Sequence, residues 1–306
     1  MVRCTVDRAC VLGTVVAVGS LAIGVAAFQA PGQRAPLPAI EKVKDNLYVI
    51  FGSDATDRPK FTGGNVGVFV TDAGVVLVDT KLAGYGPEIL AQVKSVTSKP
   101  VTTVVNTHTH GDHTGSNEAF PASVEFIVHE NTKTNMERMD AFKGDKAKFL
   151  PKRTYKDKLS IGSGKDRVDL YYFGVGHTNG DTFVVYPALR TLQTGDMFAW
   201  LDAPFLDRSN GGSGVEMPNT LSKAIAALKD IETVIPGHSP LMTLKELREF
   251  QRFNADLLSD ARAAFKAGKS SEQAAASLTF MSKYPGYKSD RVKAAIDAIY
   301  DELKAK

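Results

Sequence analysis

The sequence predicts a layered α/β fold in which helices cover two packed sheets and a run of helices closes the chain. Three observations carry this. Residues 65 to 79 read as two short β-branched runs, NVGVFVT and GVVLVDT, joined through Asp72, Ala73 and Gly74. Such a hairpin demands antiparallel pairing and excludes a plain doubly wound parallel sheet. Strand-like and helix-like stretches then alternate as far as Pro240, and from Leu244 onward the pattern is almost wholly helical. With 306 residues, 43% hydrophobic and 23% charged, the chain is long enough to bury one large core, and its composition excludes a disordered or collagen-like protein.

In chain order, residues 1–27 read as a secretory signal peptide. Arg3 and Arg8 precede a stretch without charge from Ala9 to Ala27, and Val25 and Ala27 suit a cut after Ala27. The expected location is therefore periplasmic or extracellular; an uncleaved membrane anchor is the alternative, since the apolar run is long enough to span. Both cysteines, Cys4 and Cys10, fall in this segment, so the body of the protein has no disulfide and no thiolate nucleophile or ligand. A proline-rich linker, 28–40, leads to the main domain, 41–243. Residues 43–52 read as an edge strand, and 53–64, rich in turn formers, as a candidate mobile loop. GPEILAQVKSVTS is a helix, with Pro87 in its first turn and Ile89, Leu90, Val93 and Val96 at helical spacing. VTTVV and SVEFIVHE are strands; Asn131 to about Phe149 is one helix or two short ones. Residues 167–200 form a series of strands broken at Gly176 to Gly180 and at Pro187. NTLSKAIAALKDI is a helix, and TVIPGH a short strand. The last segment, 244–306, is a helical extension whose Leu247, Phe250, Phe253, Leu257 and Ala261 form one apolar stripe. It has three candidate roles: covering a sheet, narrowing a cleft, or forming a homodimer contact.

The formal charge of +3 is small for this length, and basic residues alternate with acidic ones instead of forming a stripe. No nucleic acid partner is expected. The histidines are distributed less evenly. Three of the six lie in NTHTHGDHTG, directly after an apolar strand. Residues two apart in extended chain point the same way, so His108 and His110 can converge on one ion. Gly111 lets the chain turn and present Asp112 and His113 nearby. His177, in GVGHTNGDT, Asp196, in TLQTGDMF, and His238, in TVIPGHSP, each follow an apolar run and a glycine at a strand end. Imidazole and carboxylate ligands suit zinc, and imidazoles alone also suit iron or nickel. His129, after EFIV, stands outside this pattern and reads as structural.

The ordered set HTHGDH, then His177, the Asp of a GD dipeptide and PGH, resembles the metallo-beta-lactamase superfamily, whose hallmark is HxHxDH followed by His, Asp and His. The likeness runs from about Asn46 to Pro240. It implies the four-layer alpha-beta/beta-alpha sandwich with its site at the rim between two sheets. It further implies His108, His110 and His177 on a first metal, Asp112, His113 and His238 on a second, and Asp196 bridging. Asp79 resembles the family's structural carboxylate, orienting a ligand loop. The implied cofactors are two zinc ions, with iron or manganese as alternatives, and the implied activity is hydrolysis by an activated hydroxide that Asp112 helps to orient. The main antibiotic-hydrolysing subclass has a cysteine where this chain has Asp196 and an arginine where it has His113. That departure widens the expected substrate to a small carbonyl compound: an ester, lactone, thioester or beta-lactam. A phosphodiesterase, a metal-binding relative without activity and a di-iron redox relative are the alternatives. Loops 53–64 and 201–219 are the expected substrate walls, with Phe205, Leu206 and Met217 as apolar contacts and Gly211, Gly212 and Gly214 giving the second loop freedom.

Overall fold

The computed structural model describes residues 34–53 and 57–305, so the predicted signal segment with both cysteines lies outside the described residues. Ala35–Lys306 forms one compact unit. Among the described residues, twelve strands fall into two mixed sheets. The first sheet takes β1 (Glu41–Lys44), β2 (Leu47–Ile50), β3 (Val66–Val70), β4 (Val75–Val78), β5 (Val101–Val105), β6 (Glu125–His129) and β7 (Arg153–Tyr155), in that spatial order. Its members are antiparallel up to β4 and parallel from β4 to β7. The second holds β8 (Lys158–Ile161), β9 (Val168–Tyr171), β10 (Phe183–Tyr186), β11 (Thr191–Gly195) and β12 (Thr233–Pro236), with only β11 and β12 parallel. The helices are α1 (Gly86–Val96), the single turn α2 (Gly111–Thr114), α3 (Glu130–Met136), α4 (Met217–Ala227), α5 (Leu244–Lys266), α6 (Ser271–Ala276) and α7 (Val292–Lys304).

Alternation along each strand sorts its side chains between layers. In β4, Val76 and Val78 enter the core between the sheets, whereas Val75 and Leu77 pack outward with Ile89 and Val93 of α1. In β10, Val184 and Tyr186 point into that same central core, and Phe183 and Val185 point to the helical side with Leu221 of α4, Phe253 of α5 and Ile296 of α7. Strands covered on both faces have no polar side, which is why these runs are almost uninterruptedly apolar. The result is the expected αβ/βα sandwich. Helices α5 and α7 share one core with the second sheet, so residues 244–305 cover that sheet's outer face.

Two details differ from the sequence reading. The run at 43–52 is not one strand: Asp45 and Asn46 turn the chain, so β1 is the edge and β2 pairs on both sides. The short edge strands β7 and β8 were not foreseen: β7 has no apolar alternation, and β8 alternates only over Leu159 and Ile161, both half-buried at the sheet edge. No helix among the described residues is long and apolar enough to cross a membrane.

Candidate metal centre

All seven residues expected to bind metal come together just beyond the C-terminal ends of strands. His108 and His110 follow β5; α2 then carries Asp112 and His113, and its turn is closed by the amides of His113 and Thr114 donating to the carbonyl of His110, both at 3.0 Å. His177 lies in the loop between β9 and β10. Asp196 and His238 follow the parallel neighbours β11 and β12, which deliver them side by side. Two glycines make this approach possible. Gly195 adopts φ 51°, and a Cβ there would meet Thr107 Oγ1 at 2.5 Å. At Gly237 a Cβ would stand 2.0 Å from Asp196 Oδ1.

The ligand atoms form two clusters, one of His108, His110, His177 and Asp196 and the other of Asp112, His113 and His238. The rings of His108, His110 and His177 stand edge to face, with centroids 4.6 to 4.8 Å apart. In the second cluster His113 Nε2 and His238 Nε2 are 3.3 Å apart, and Asp112 Oδ2 lies 3.3 Å from His238 Nε2 and 3.6 Å from His113 Nε2. Asp196 stands between the clusters. Its Oδ1 is 3.3 Å from both His113 Nε2 and His238 Nε2, and its Oδ2 is 3.8 Å from His177 Nε2. Most of the set is buried, but the side chains of His110 and Asp112 keep 20% and 19% of their surface and form the solvent side of the site.

The hydrogen bonds behind the imidazoles decide which nitrogens are free. His177 Nδ1 donates to the carbonyl of Phe205 at 2.7 Å, His110 Nε2 to Asp207 Oδ2 at 2.6 Å, and His113 Nδ1 to Asp79 Oδ2 at 2.7 Å. Each partner only accepts, so in the neutral ring the opposite nitrogen carries the lone pair and faces the cluster. His110 Nδ1 and His177 Nε2 therefore face each other at 3.0 Å. Such a pair is stable only with a cation between its members or a proton on one of them. His108 Nε2 and Asp196 Oδ1 are buried and take part in no hydrogen bond. These orphaned donor atoms, aimed at two common points, fit a pair of metal ions.

Charge points the same way. Burial opposes protonation of His113 and His238, yet Asp196 and Asp112 beside them hold His113 well above the ordinary histidine range and His238 up to about 9. Burial likewise opposes ionisation of Asp196 and Asp112, but the charges of His238 and His113 hold both carboxyls below their usual range. His108 goes the other way, pushed well down by burial and by His113, His177 and His110. The pocket thus retains positive charge, as protons or as metal cations.

Asp79 sits in a strained backbone conformation, φ 69°, at the end of β4. Besides His113 it accepts from Thr107 N at 2.7 Å and Thr107 Oγ1 at 2.8 Å, fixing the segment that leads to His108. His129 stacks on Tyr172 at 3.9 Å and bonds the carbonyl of Lys156. It is structural, as its position outside the motif suggested.

The walls needed correction. Phe61 and Trp200 flank His238 at 5.7 and 5.6 Å, and Phe205, 48% exposed, lies 5.8 Å from both His110 and His177. Leu206 and Met217 instead point into the helical core. Gly212 and Gly214 do not serve mobility. A Cβ on Gly212 would stand 2.3 Å from the carbonyl of His177, and one on Gly214 would stand 2.5 Å from Ile299 Cγ1, so both are there for close packing. Asp207 and the Phe205 carbonyl were not anticipated. DRSNGG reads as a turn, and Asp207 does cap one by accepting from Ser209 and Asn210, but nothing local ties it to a histidine 97 residues away. Lys81 was missed as well. It is wholly buried, donates to the carbonyl of Phe51 at 2.6 Å and is pulled down to about 7 by burial.

The family description "Metallo-beta-lactamase superfamily" matches residues 59–238. The chain is 31% identical over 227 residues to a metallo-beta-lactamase type 2 of Elizabethkingia meningoseptica, covering 71% of this chain and 85% of that protein. It is 30% identical over 142 residues to the 2,4-dinitroanisole O-demethylase subunit alpha of Nocardioides sp. (strain JS1661), covering 42% of this chain and 41% of that subunit. Among solved structures, the metallo-beta-lactamase from Pontibacter korlensis superposes with a TM-score of 0.62 over 72% of this chain and 99% of that one; at 21% identity the likeness is one of fold.

Proposed function

The chain belongs to the metallo-beta-lactamase superfamily and is a metal-dependent hydrolase, and from that premise we propose that it uses two zinc ions to cleave a small carbonyl compound with an apolar portion: an ester, lactone, thioester or beta-lactam. The observation that carries this reading is Asp196, whose two oxygens each face one imidazole cluster. His108, His110 and His177 would hold one ion, Asp112, His113 and His238 the other, and Asp196 both. When bound, such a pair supplies an activated water and a Lewis acid at neutral pH.

The chain's own residues supply the rest. His110 and Asp112, on the solvent side, border the space where substrate arrives. Asp112 offers a carboxylate oxygen to a water proton and so orients that water toward the carbonyl carbon. Phe61, Trp200 and Phe205 surround the imidazoles with apolar surface that favours an uncharged or amphiphilic substrate and sheds water from it. The two relatives reported above act, by their names, on a beta-lactam and on a nitroaromatic methyl ether, which supports small organic substrates over polymers. Export to the periplasm or beyond belongs to the same proposal and rests on the apolar segment before Ala27.

A zinc-loaded preparation assayed in parallel on a beta-lactam, an aliphatic lactone, an acyl thioester and an aryl phosphodiester tests the reading. Turnover of at least one carbonyl substrate, abolished in Asp196→Ala, is expected. Turnover confined to the phosphodiester would overturn the substrate class.

A further inference from the structure

We propose that Glu302, on the C-terminal helix α7, is a positioning residue for the metal centre, acting through loop 205–214 on His110 and His177. The proposal rests on the reading of the two clusters as metal sites.

The chain of contacts is continuous. Asp207 holds His110 Nε2 at 2.6 Å, and the carbonyl of Phe205, two residues earlier, holds His177 Nδ1 at 2.7 Å. One short loop therefore sets the orientation of two of the three imidazoles in the first cluster. The loop is stitched to the strand-end segment that carries His177: Asp207 N donates to the carbonyl of His177 at 2.9 Å, Ser213 N to that of Gly176 at 2.7 Å, and Asn179 N to that of Asn210 at 2.9 Å. Asp207 itself is fixed by Ser209 and Asn210, whose amides and side chains donate to its two oxygens.

The far end of the loop is held by α7. The Glu302 carboxylate, 8% exposed, accepts from Ser213 Oγ at 2.6 Å and from Gly214 N at 2.7 Å, and lies 3.4 Å from Arg208 Nη1, which itself donates to the carbonyl of Gly212. A buried carboxylate whose oxygens go to one loop has that loop as its purpose: in the core of α7 an alanine or leucine would pack without the desolvation cost. Ile299, one turn earlier, approaches Gly214 so closely that a Cβ there would stand 2.5 Å from it. Helix α7 thus fixes the loop from behind while Asp207 and Phe205 present its front to the histidines. A partner that locks a ligand ring in one orientation typically changes metal affinity 10- to 100-fold.

The test is zinc affinity, measured by competition with a chromophoric chelator, for the wild type, Asp207→Asn, Glu302→Gln, Glu302→Ala and the double variant D207N/E302A. Asp207→Asn and Glu302→Ala are each expected to weaken one of the two zinc equivalents by about 10- to 100-fold and leave the other unchanged. Glu302→Gln, which keeps an acceptor for Gly214 N, is expected to show a smaller loss in the same equivalent, and it carries the test if Glu302→Ala does not fold. Because Glu302 works through the loop, the double variant should bind no more weakly than the weaker single one. Wild-type affinity for both equivalents in the Glu302 variants, with only a lower melting temperature, would overturn the proposal and leave Glu302 a purely structural residue. A wild type that takes up no zinc would instead overturn the metal reading beneath it.

Discussion

Asp196 and Gly237 form a unit at the residue scale. The carboxylate reaches both clusters only because residue 237 has no side chain, since a Cβ there would stand 2.0 Å from Asp196 Oδ1 and 3.0 Å from the backbone of Gly195. Gly237→Ala is therefore expected to displace the Asp196 carboxylate and to weaken zinc binding at both clusters, while overpacking costs the fold only about 1–3 kcal/mol. Zinc competition and urea unfolding of the same preparation separate these effects, and wild-type affinity in the variant would show that Asp196 does not need that space. This part of the site was legible in the sequence to a useful degree. HTHGDH and the glycine-flanked His177, Asp196 and His238 marked all seven residues that the two clusters gather, because side chains placed at strand ends leave short, local marks. The partners that orient those rings left none. The carbonyl of Phe205 has no side-chain identity to read, and Asp207 looks like any turn-forming aspartate.

At the scale of elements, loop 201–219 does two jobs that the sequence suggested were one. Glycines and apolar residues in a long connection read as a mobile substrate wall, yet Leu206 and Met217 are core residues and Gly212 and Gly214 are packing contacts. Of the three apolar residues named for this wall, only Phe205 faces outward. Phe205→Ala is expected to leave stability within about 0.5 kcal/mol, because the side chain is half exposed and its backbone carbonyl still serves His177. It should raise KM for apolar carbonyl substrates more than it lowers kcat. Unchanged KM across such substrates would remove Phe205 from the wall. The strand elements were easier to read than the loops: β3, β4, β5 and β10 are apolar on both faces because both faces are covered, while β7 and β8 at the edges lack that signature.

For the whole molecule, helices layered over two sheets could be read from the hairpin, the alternation and the helical end, and the αβ/βα sandwich itself from the family resemblance, but the depth to which that end is integrated could not be read. The stripe on α5 indicated a packed helix without saying against what. In the structure Phe253 is fully buried, stacked on Tyr287 at 4.5 Å and sharing a core with the second sheet. Phe253→Ala is expected to cost about 3–5 kcal/mol and to lower the midpoint of a single unfolding transition that includes both sheets. A separate early transition confined to the helices would contradict a shared core. Long-range packing of this kind depends on which surfaces meet, and a one-dimensional pattern records only that a surface is apolar.

In the proposed function two metal ions share Asp196. Zinc content of the purified protein after loading and removal of loosely bound metal tests it most directly, with Asp196→Ala measured alongside. Close to two equivalents are expected in the wild type, and a loss from both clusters, with the fold retained, in the variant. A wild type holding less than about half an equivalent after loading would contradict it, as would a variant that still holds two.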